Sequence, residues 1–280
     1  MTTALRRVDS LDIPELEPYR TLKRPLEHRA AGFFIAEGEK VVHRLLLSSL
    51  RIRSILLTEQ WLDVYRRLID ARTERPDILI AEKKVMEGIV GFELHKGIMA
   101  MADVPDTFTI EEVTRKSSPP FLFVAVDGIM NSENLGVIVR NCASFGVTAL
   151  LVGENSCDPY LRRAVRNSMG NIFDLPIVRL SKIPDELARL RASWEITVIG
   201  AHPHPESRVI GRVDLTSSCC LVLGAEGHGI SDGVLKACDF TATVPMQKGV
   251  DSLNVASASA VLLYEAQRQR RKKEAHGVHL

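Results

Sequence analysis

Asp127-Gly-Ile-Met-Asn-Ser-Glu-Asn-Leu-Gly-Val-Ile-Val-Arg-Asn-Cys-Ala-Ser-Phe-Gly146 starts where the apolar run Phe121–Val126 ends. Such a run reads as a buried strand, and Leu135–Ser144 carries a helical pattern, so the stretch is a strand-end loop opening into a helix. Two later segments repeat the arrangement. Leu223-Gly-Ala-Glu-Gly-His-Gly-Ile-Ser231 follows the strand-like run Cys219–Leu223. Val244-Pro-Met-Gln-Lys-Gly-Val-Asp-Ser-Leu-Asn-Val-Ala-Ser257 follows Thr241–Pro245. Further strand-like runs at Ala149–Val152 and Ile196–Ile199 alternate with helical patterns at Pro159–Ser168, Pro184–Ser193, Gly233–Ala237 and Asn254–Arg270. That alternation predicts a parallel sheet with helices on both faces. In such sheets ligands bind beyond the carboxyl ends of the strands, where these Gly-, Asn- and Ser-rich segments lie.

None of the segments is the G-x-G-x-x-G of a dinucleotide fold or a phosphate loop with Gly-Lys-Ser/Thr. There is no Gly-x-Ser-x-Gly elbow for a hydrolase. Together the three resemble the motifs of the TrmH (SpoU) branch of the SPOUT methyltransferases. Asn134, Gly136, Ile138, Arg140, Phe145 and Gly146 match its first motif, with Cys142 where alanine is usual. Leu223, Gly224, Glu226 and Gly229 match the second, and Val244, Pro245, Met246, Ser252, Leu253, Asn254 and Val255 the third. One departure is Asn131-Ser132, where the family commonly reads Asp-Pro.

The resemblance implies an RNA 2′-O-ribose methyltransferase using S-adenosyl-L-methionine, with the catalytic chain tied in a trefoil knot. It points to Arg140 as the catalytic residue. A guanidinium is effectively always protonated, so its physical role is a charged donor to the RNA phosphate and the forming alkoxide, not a base. Glu226 could orient Arg140 or a substrate hydroxyl. Asn134, Ser252 and Asn254 join the expected catalytic set, and each is also a candidate helix N-cap. Gly224, Val244, Leu253 and Met246 are the implied cofactor contacts, mainly through backbone groups.

The segment Ala102–Pro120 is rich in proline, serine and charge with little apolar period, and it divides the chain. Residues 1–105 read as a small RNA substrate-binding domain, 106–120 as a linker, 121–270 as the SPOUT domain and 271–280 as a basic tail. The first domain resembles the family's α/β/α substrate-binding module through Phe34-Ile-Ala-Glu-Gly-Glu-Lys40 and, loosely, His95-Lys-Gly-Ile-Met-Ala100. Between Arg20 and Arg53 eight basic residues face three acids, and Arg20, Lys23, Arg24 and Arg29 are the expected RNA contacts. Arg268, Arg270, Arg271, Lys272 and Lys273 form a second cluster. Either cluster alone is also what a solvated helix face looks like; together they permit RNA binding.

The 280 residues suit two domains, and a net charge of +1 argues against indiscriminate coating of nucleic acid. No apolar run reaches the ~20 residues of a membrane span, and the N-terminus lacks a secretory h-region, so a cytoplasmic protein is expected. The five cysteines form no C-x-x-C pair and read as buried thiols, and His202 and His204 read as loop residues, so no metal is expected. The segment Val255–Tyr264 is small and apolar around much of its circumference. A homodimer through the C-terminal domain is therefore expected. The expected target is structured RNA, with rRNA favoured over tRNA; the competing reading is a non-catalytic RNA-binding protein that retains the fold.

Overall fold

The computed structural model of the chain describes residues 5–10, 12–90 and 97–277. His95 and Lys96 of the closing signature, and the last three residues of the basic tail, lie outside these. Two units form: Met1–Asp106 with Pro159–Asp174, and Thr107–Asp158 with Leu175–Leu280.

In the first unit the chain runs β1 (Leu5–Val8), α1 (Glu17–Arg20), α2 (Pro25–Ala30), β2 (Phe33–Glu37), α3 (Glu39–Leu47), β3 (Ile52–Leu57), α4 (Glu59–Asp70), β4 (Asp77–Ala81), α5 (Lys83–Val90) and β5 (Ile98–Asp103). The sheet order is β1-β4-β3-β5-β2, with β5 antiparallel to both neighbours. Every residue of β2 is buried. Its Phe34-Ile-Ala-Glu37 core was legible as a signature but not as a strand.

The second unit carries α6 (Ile110–Lys116), β6 (Leu122–Asp127), α7 (Ser132–Ser144) and β7 (Ala149–Val152). The chain then enters the first unit for α8 (Arg162–Asn167) and returns for β8 (Ile177–Arg179), α9 (Ile183–Trp194), β9 (Thr197–Ala201), β10 (Arg208–Val209), β11 (Cys219–Gly224), α10 (Asp232–Ala237), β12 (Phe240–Thr243) and α11 (Val255–Gly277). Its seven strands are all parallel, in the order β10-β12-β9-β11-β6-β7-β8. Alternate strand residues point to opposite faces. Phe123, Ala125, Leu151, Val198, Cys220 and Val222 pack with α6, α9 and α10 through Val113, Leu187, Leu190 and Val234. The strands β8 and β10 were not anticipated, being only three and two residues long.

The return of Pro159–Asp174 to the first unit has a physical cause within that unit. Phe34 meets Tyr160 and Phe173 at ring centroids of 5.4 and 5.7 Å. Glu37, buried at the end of β2, is bonded by the guanidinium of Arg162 and by Arg166 Nη1 at 3.0 Å. A buried carboxylate is tolerated when paired in this way. The signature glutamate is thus an anchor for the inserted segment.

Arg270 of the second basic cluster also has an internal role. It donates to the carbonyls of Leu215, Pro120, Phe121 and Ser217 at 2.8–2.9 Å, clamping α11 to the amino ends of β6 and β11. All five cysteines are free, and burial raises each thiol, with Cys157, Cys219 and Cys238 pushed up to about 11.

Candidate active site

The three quoted loops lie at the carboxyl ends of β6, β11 and β12 in the second unit. The strand β6 ends on buried Asp127, whose Oδ2 accepts from the Ser231 amide at 2.8 Å and ties the first loop to the second. Sequence motifs assign Asp127 no role; its signal is a carboxylate closing an otherwise apolar strand.

The helix α7 starts at Ser132 with Asn131 as its cap, Oδ1 accepting from the Glu133 and Asn134 amides at 2.8 and 3.2 Å. The cap is therefore Asn131, not Asn134. Asn and Asp serve equally at this position, so the Asn131-Ser132 departure keeps the cap. Asn134 is left to present its side chain outward from the first turn.

At the end of β11 the chain doubles back, with Ala225 and Gly229 exchanging backbone hydrogen bonds of 2.9 Å. A Cβ on Gly224 would lie 2.2 Å from Gly229 C and Ile230 N, so only glycine fits. The reversal carries Glu226 at its tip.

Asn254 joins these pieces. Its Oδ1 caps α11, accepting from the Ala256 and Ser257 amides at 2.9 and 3.3 Å. Its Nδ2 donates to Glu226 Oε1 at 2.5 Å and to Asn134 Oδ1 at 3.2 Å. One side chain from each loop thus meets in a single cluster. The cap belongs to Asn254 and not to Ser252, which lines the adjoining cavity. A residue not foreseen, Asn141, braces the cluster from below. Its Nδ2 donates to Ala256 O and Ser259 Oγ, both at 2.9 Å, fixing α7 against the start of α11.

Arg140 is on α7, six residues beyond Asn134, and it is exposed. Six residues advance a helix by about 9 Å and turn it by roughly 240°, away from the face that carries Asn134. Its side chain makes no hydrogen bond or ion pair among the described residues. The structure does not bring it into the cluster.

Beside the cluster is a cavity of about 480 Å³ whose lining includes Gly224, Val244, Met246 and Leu253, all four expected cofactor contacts. Small-molecule sites commonly span ~300–1,000 Å³. The walls are apolar, with Leu223, Ala242 and Leu262, while Gly224 leaves main chain bare. These features fit the adenosyl and methionyl parts of S-adenosylmethionine. His202, in the loop that follows β9, also lines the cavity. Among the described residues no group of three or more His, Cys, Asp or Glu could hold a metal ion, and no helix is long and apolar enough to cross a membrane.

In the first unit, Arg20, Lys23, Arg24 and Arg29 are exposed on α1, α2 and the turn between them. Arg20 pairs with Asp12 at 3.2 Å and Arg24 with Glu27 at 3.6 Å.

Residues 121–264 match the SpoU rRNA methylase family. The chain is 32% identical to an uncharacterised tRNA/rRNA methyltransferase of Mycobacterium tuberculosis, over 92% of this chain and 90% of that one. It is 29% identical to the 23S rRNA (uridine(2479)-2′-O)-methyltransferase of Streptomyces viridochromogenes, over 96% and 94%. The crystal structure of the SpoU methyltransferase AviRb from Streptomyces viridochromogenes, in complex with the cofactor AdoMet, superposes with a TM-score of 0.78 at 25% identity, covering 93% of this chain and all of that one. The second unit has the α/β-knot fold of these proteins.

Proposed function

The chain belongs to the SpoU rRNA methylase family and is an S-adenosylmethionine-dependent RNA methyltransferase; from this we propose that it methylates a ribose 2′-hydroxyl of ribosomal RNA in the cytoplasm. The observation that carries the reading is Asn254, which links Asn134 and Glu226 beside the cavity. The ribosomal target draws support from the relative that acts on 23S rRNA and aligns over 96% of the chain.

Gly224, Val244, Met246 and Leu253 would hold the cofactor, which supplies a methyl group on an electron-poor sulfonium. The remaining chemistry falls to this chain's residues. The acceptor oxygen must be aligned, its growing negative charge stabilised and its proton released. Glu226, held by Asn254, accepts a hydrogen bond from the ribose hydroxyl and fixes its direction. Ser252 and Asn134 complete the polar wall. Arg140, permanently charged, grips an adjacent phosphate and stabilises the forming alkoxide. Its distance from the Asn134 face suits a second copy of the chain completing the site.

We place that second copy on α11. The helix buries Val255, Ser259, Leu262 and Leu263 but leaves Ser257, Val261 and Tyr264 open, a stripe with i, i+4, i+7 spacing. Val261 is 39% and Tyr264 58% exposed, which is apolar surface that a symmetric dimer would cover. Arg20, Lys23, Arg24 and Arg29 would supply RNA contacts. Calorimetry tests the reading: S-adenosylmethionine and S-adenosylhomocysteine should bind without added metal, and failure of both to bind would reject it.

A further inference from the structure

We propose that an open basic groove, at the opposite end of the second unit from the cofactor cavity, grips the sugar-phosphate backbone of the substrate RNA. The proposal rests on the RNA methyltransferase reading above and adds a contact surface remote from the methylated ribose.

The groove has a volume of about 520 Å³. Arg212 enters it from the short turn after β10, and Arg268, Lys272 and Lys273 enter it from α11, so cations from two elements converge on one space. Arg212 is exposed and makes no hydrogen bond or ion pair among the described residues. Two acids stand against the four cations. Glu265 is taken up by Arg268 through two contacts of 2.8 Å. Asp214 lines the groove but serves its own loop. Its Oδ1 accepts from the Thr216 hydroxyl and amide at 2.7 and 2.8 Å, bonds that hold its carboxyl below the usual carboxylate range. Four cations less these two acids leave an excess of +2, and like charges gathered in this way repel until an anion enters.

The frame is fixed before any ligand arrives. Gln269 Oε1 accepts from the Leu215 amide at 2.9 Å, and its Nε2 donates to Val213 O at 3.0 Å. Arg270, spent on four carbonyls, locks the same loop and leaves the groove to its neighbours. Preorganised walls lose little freedom on binding. Among the described residues lining the groove there is no aromatic ring, so it offers charge to phosphates and no stacking platform to a base.

The loop at residues 211–218 feeds β11, which puts the groove at the amino ends of the strands. The cavity and the Asn134–Glu226–Asn254 cluster lie at the carboxyl ends. The link between them is α11, whose path from Asn254 to Lys272 covers about 27 Å. RNA held at both ends therefore follows the length of this helix and is gripped well outside the reacting nucleotide. Such contacts fix orientation without reading sequence.

The test is filter binding of the full chain to protein-free 23S ribosomal RNA over a range of salt. Arg212→Gln combined with Lys272→Gln should lower the logarithmic salt slope by about 1.4–1.8, for two lost phosphate contacts, and weaken binding ~15–30-fold at 0.15 M salt. Arg212→Lys, which keeps the charge, should retain the wild-type slope. Arg271→Gln, exposed on α11 but outside the groove, should change it little. Unchanged affinity for S-adenosylhomocysteine shows that each variant is folded. An unaltered slope in the double variant, or an equal loss with Arg271→Gln, would overturn the proposal alone. Wild-type protein that binds S-adenosylhomocysteine but no RNA would overturn the RNA reading and this inference with it.

Discussion

Asn134 and Asn254 stand 120 positions apart, yet Asn254 Nδ2 donates to Asn134 Oδ1 at 3.2 Å. The bond joins α7, the helix that follows β6, to the start of α11. The same Asn254 amide reaches Glu226, while its oxygen caps α11. One side chain therefore holds both a helix and a polar cluster, and the two duties separate on substitution.

Asn254→Ala should lose both. Removal of an N-cap costs about 1 kcal/mol, readable in chemical denaturation, and misplacement of Glu226 should cut turnover ~10²-fold. Asn254→Asp keeps the capping oxygen and removes the donor. It should retain wild-type stability to within about 1 kcal/mol yet lose comparable turnover. If the aspartate variant were fully active, the cluster would have no part in the reaction.

Arg140→Ala should lower methyl transfer by ~10²–10³ while leaving S-adenosylhomocysteine affinity nearly unchanged, since an exposed guanidinium outside the cavity acts on RNA. Near-normal turnover would return Arg140 to the solvated surface.

How much of this was legible in the sequence follows from the length scale of each feature. The strands β6, β7 and β11 and the long helices announced themselves through apolar runs and period. The two- and three-residue strands did not, because a pattern that short has no period to detect. The three loops were placed correctly at strand ends, but which asparagine caps and which one bridges depends on side-chain direction. Asn131 and Asn134 are equivalent as letters and differ only once α7 has a first residue. Glu37 read as part of a signature and Arg270 as part of a basic cluster. Both turned out to be internal fasteners, because their partners lie about 125 and 55 positions away.

That distinction bears on RNA binding. Reversing charge at Arg20, Lys23, Arg24 and Arg29 should weaken RNA affinity and flatten the logarithmic salt dependence by about 1–3, since each phosphate contact contributes about 0.7–0.9. Arg270→Met should instead destabilise the fold by ~3 kcal/mol, leaving four carbonyls without their donor. Deleting residues 1–105 would not be a clean substitute, because Phe34 and Glu37 are the packing partners of Pro159–Asp174. An unaltered salt slope in the charge-reversed protein would remove these four residues from the interface.

Tyr264→Glu should convert a dimer to monomers in sedimentation at micromolar concentration and abolish methyl transfer, because a charge placed on the α11 stripe cannot be buried against its symmetry mate. A monomeric wild type with full activity would refute the shared site.

The most direct measurement of the central claim is the chemical position of the transferred methyl group. The protein, S-adenosylmethionine carrying a labelled methyl, and ribosomal RNA from cells lacking this protein are incubated, and the RNA is hydrolysed with alkali. Alkaline cleavage uses the 2′-hydroxyl, so a methylated ribose protects its own linkage. The account predicts label in alkali-resistant dinucleotides from ribosomal RNA, absent with Arg140→Ala. Label released with mononucleotides, which marks a methylated base, or no transfer to ribosomal RNA, would contradict it.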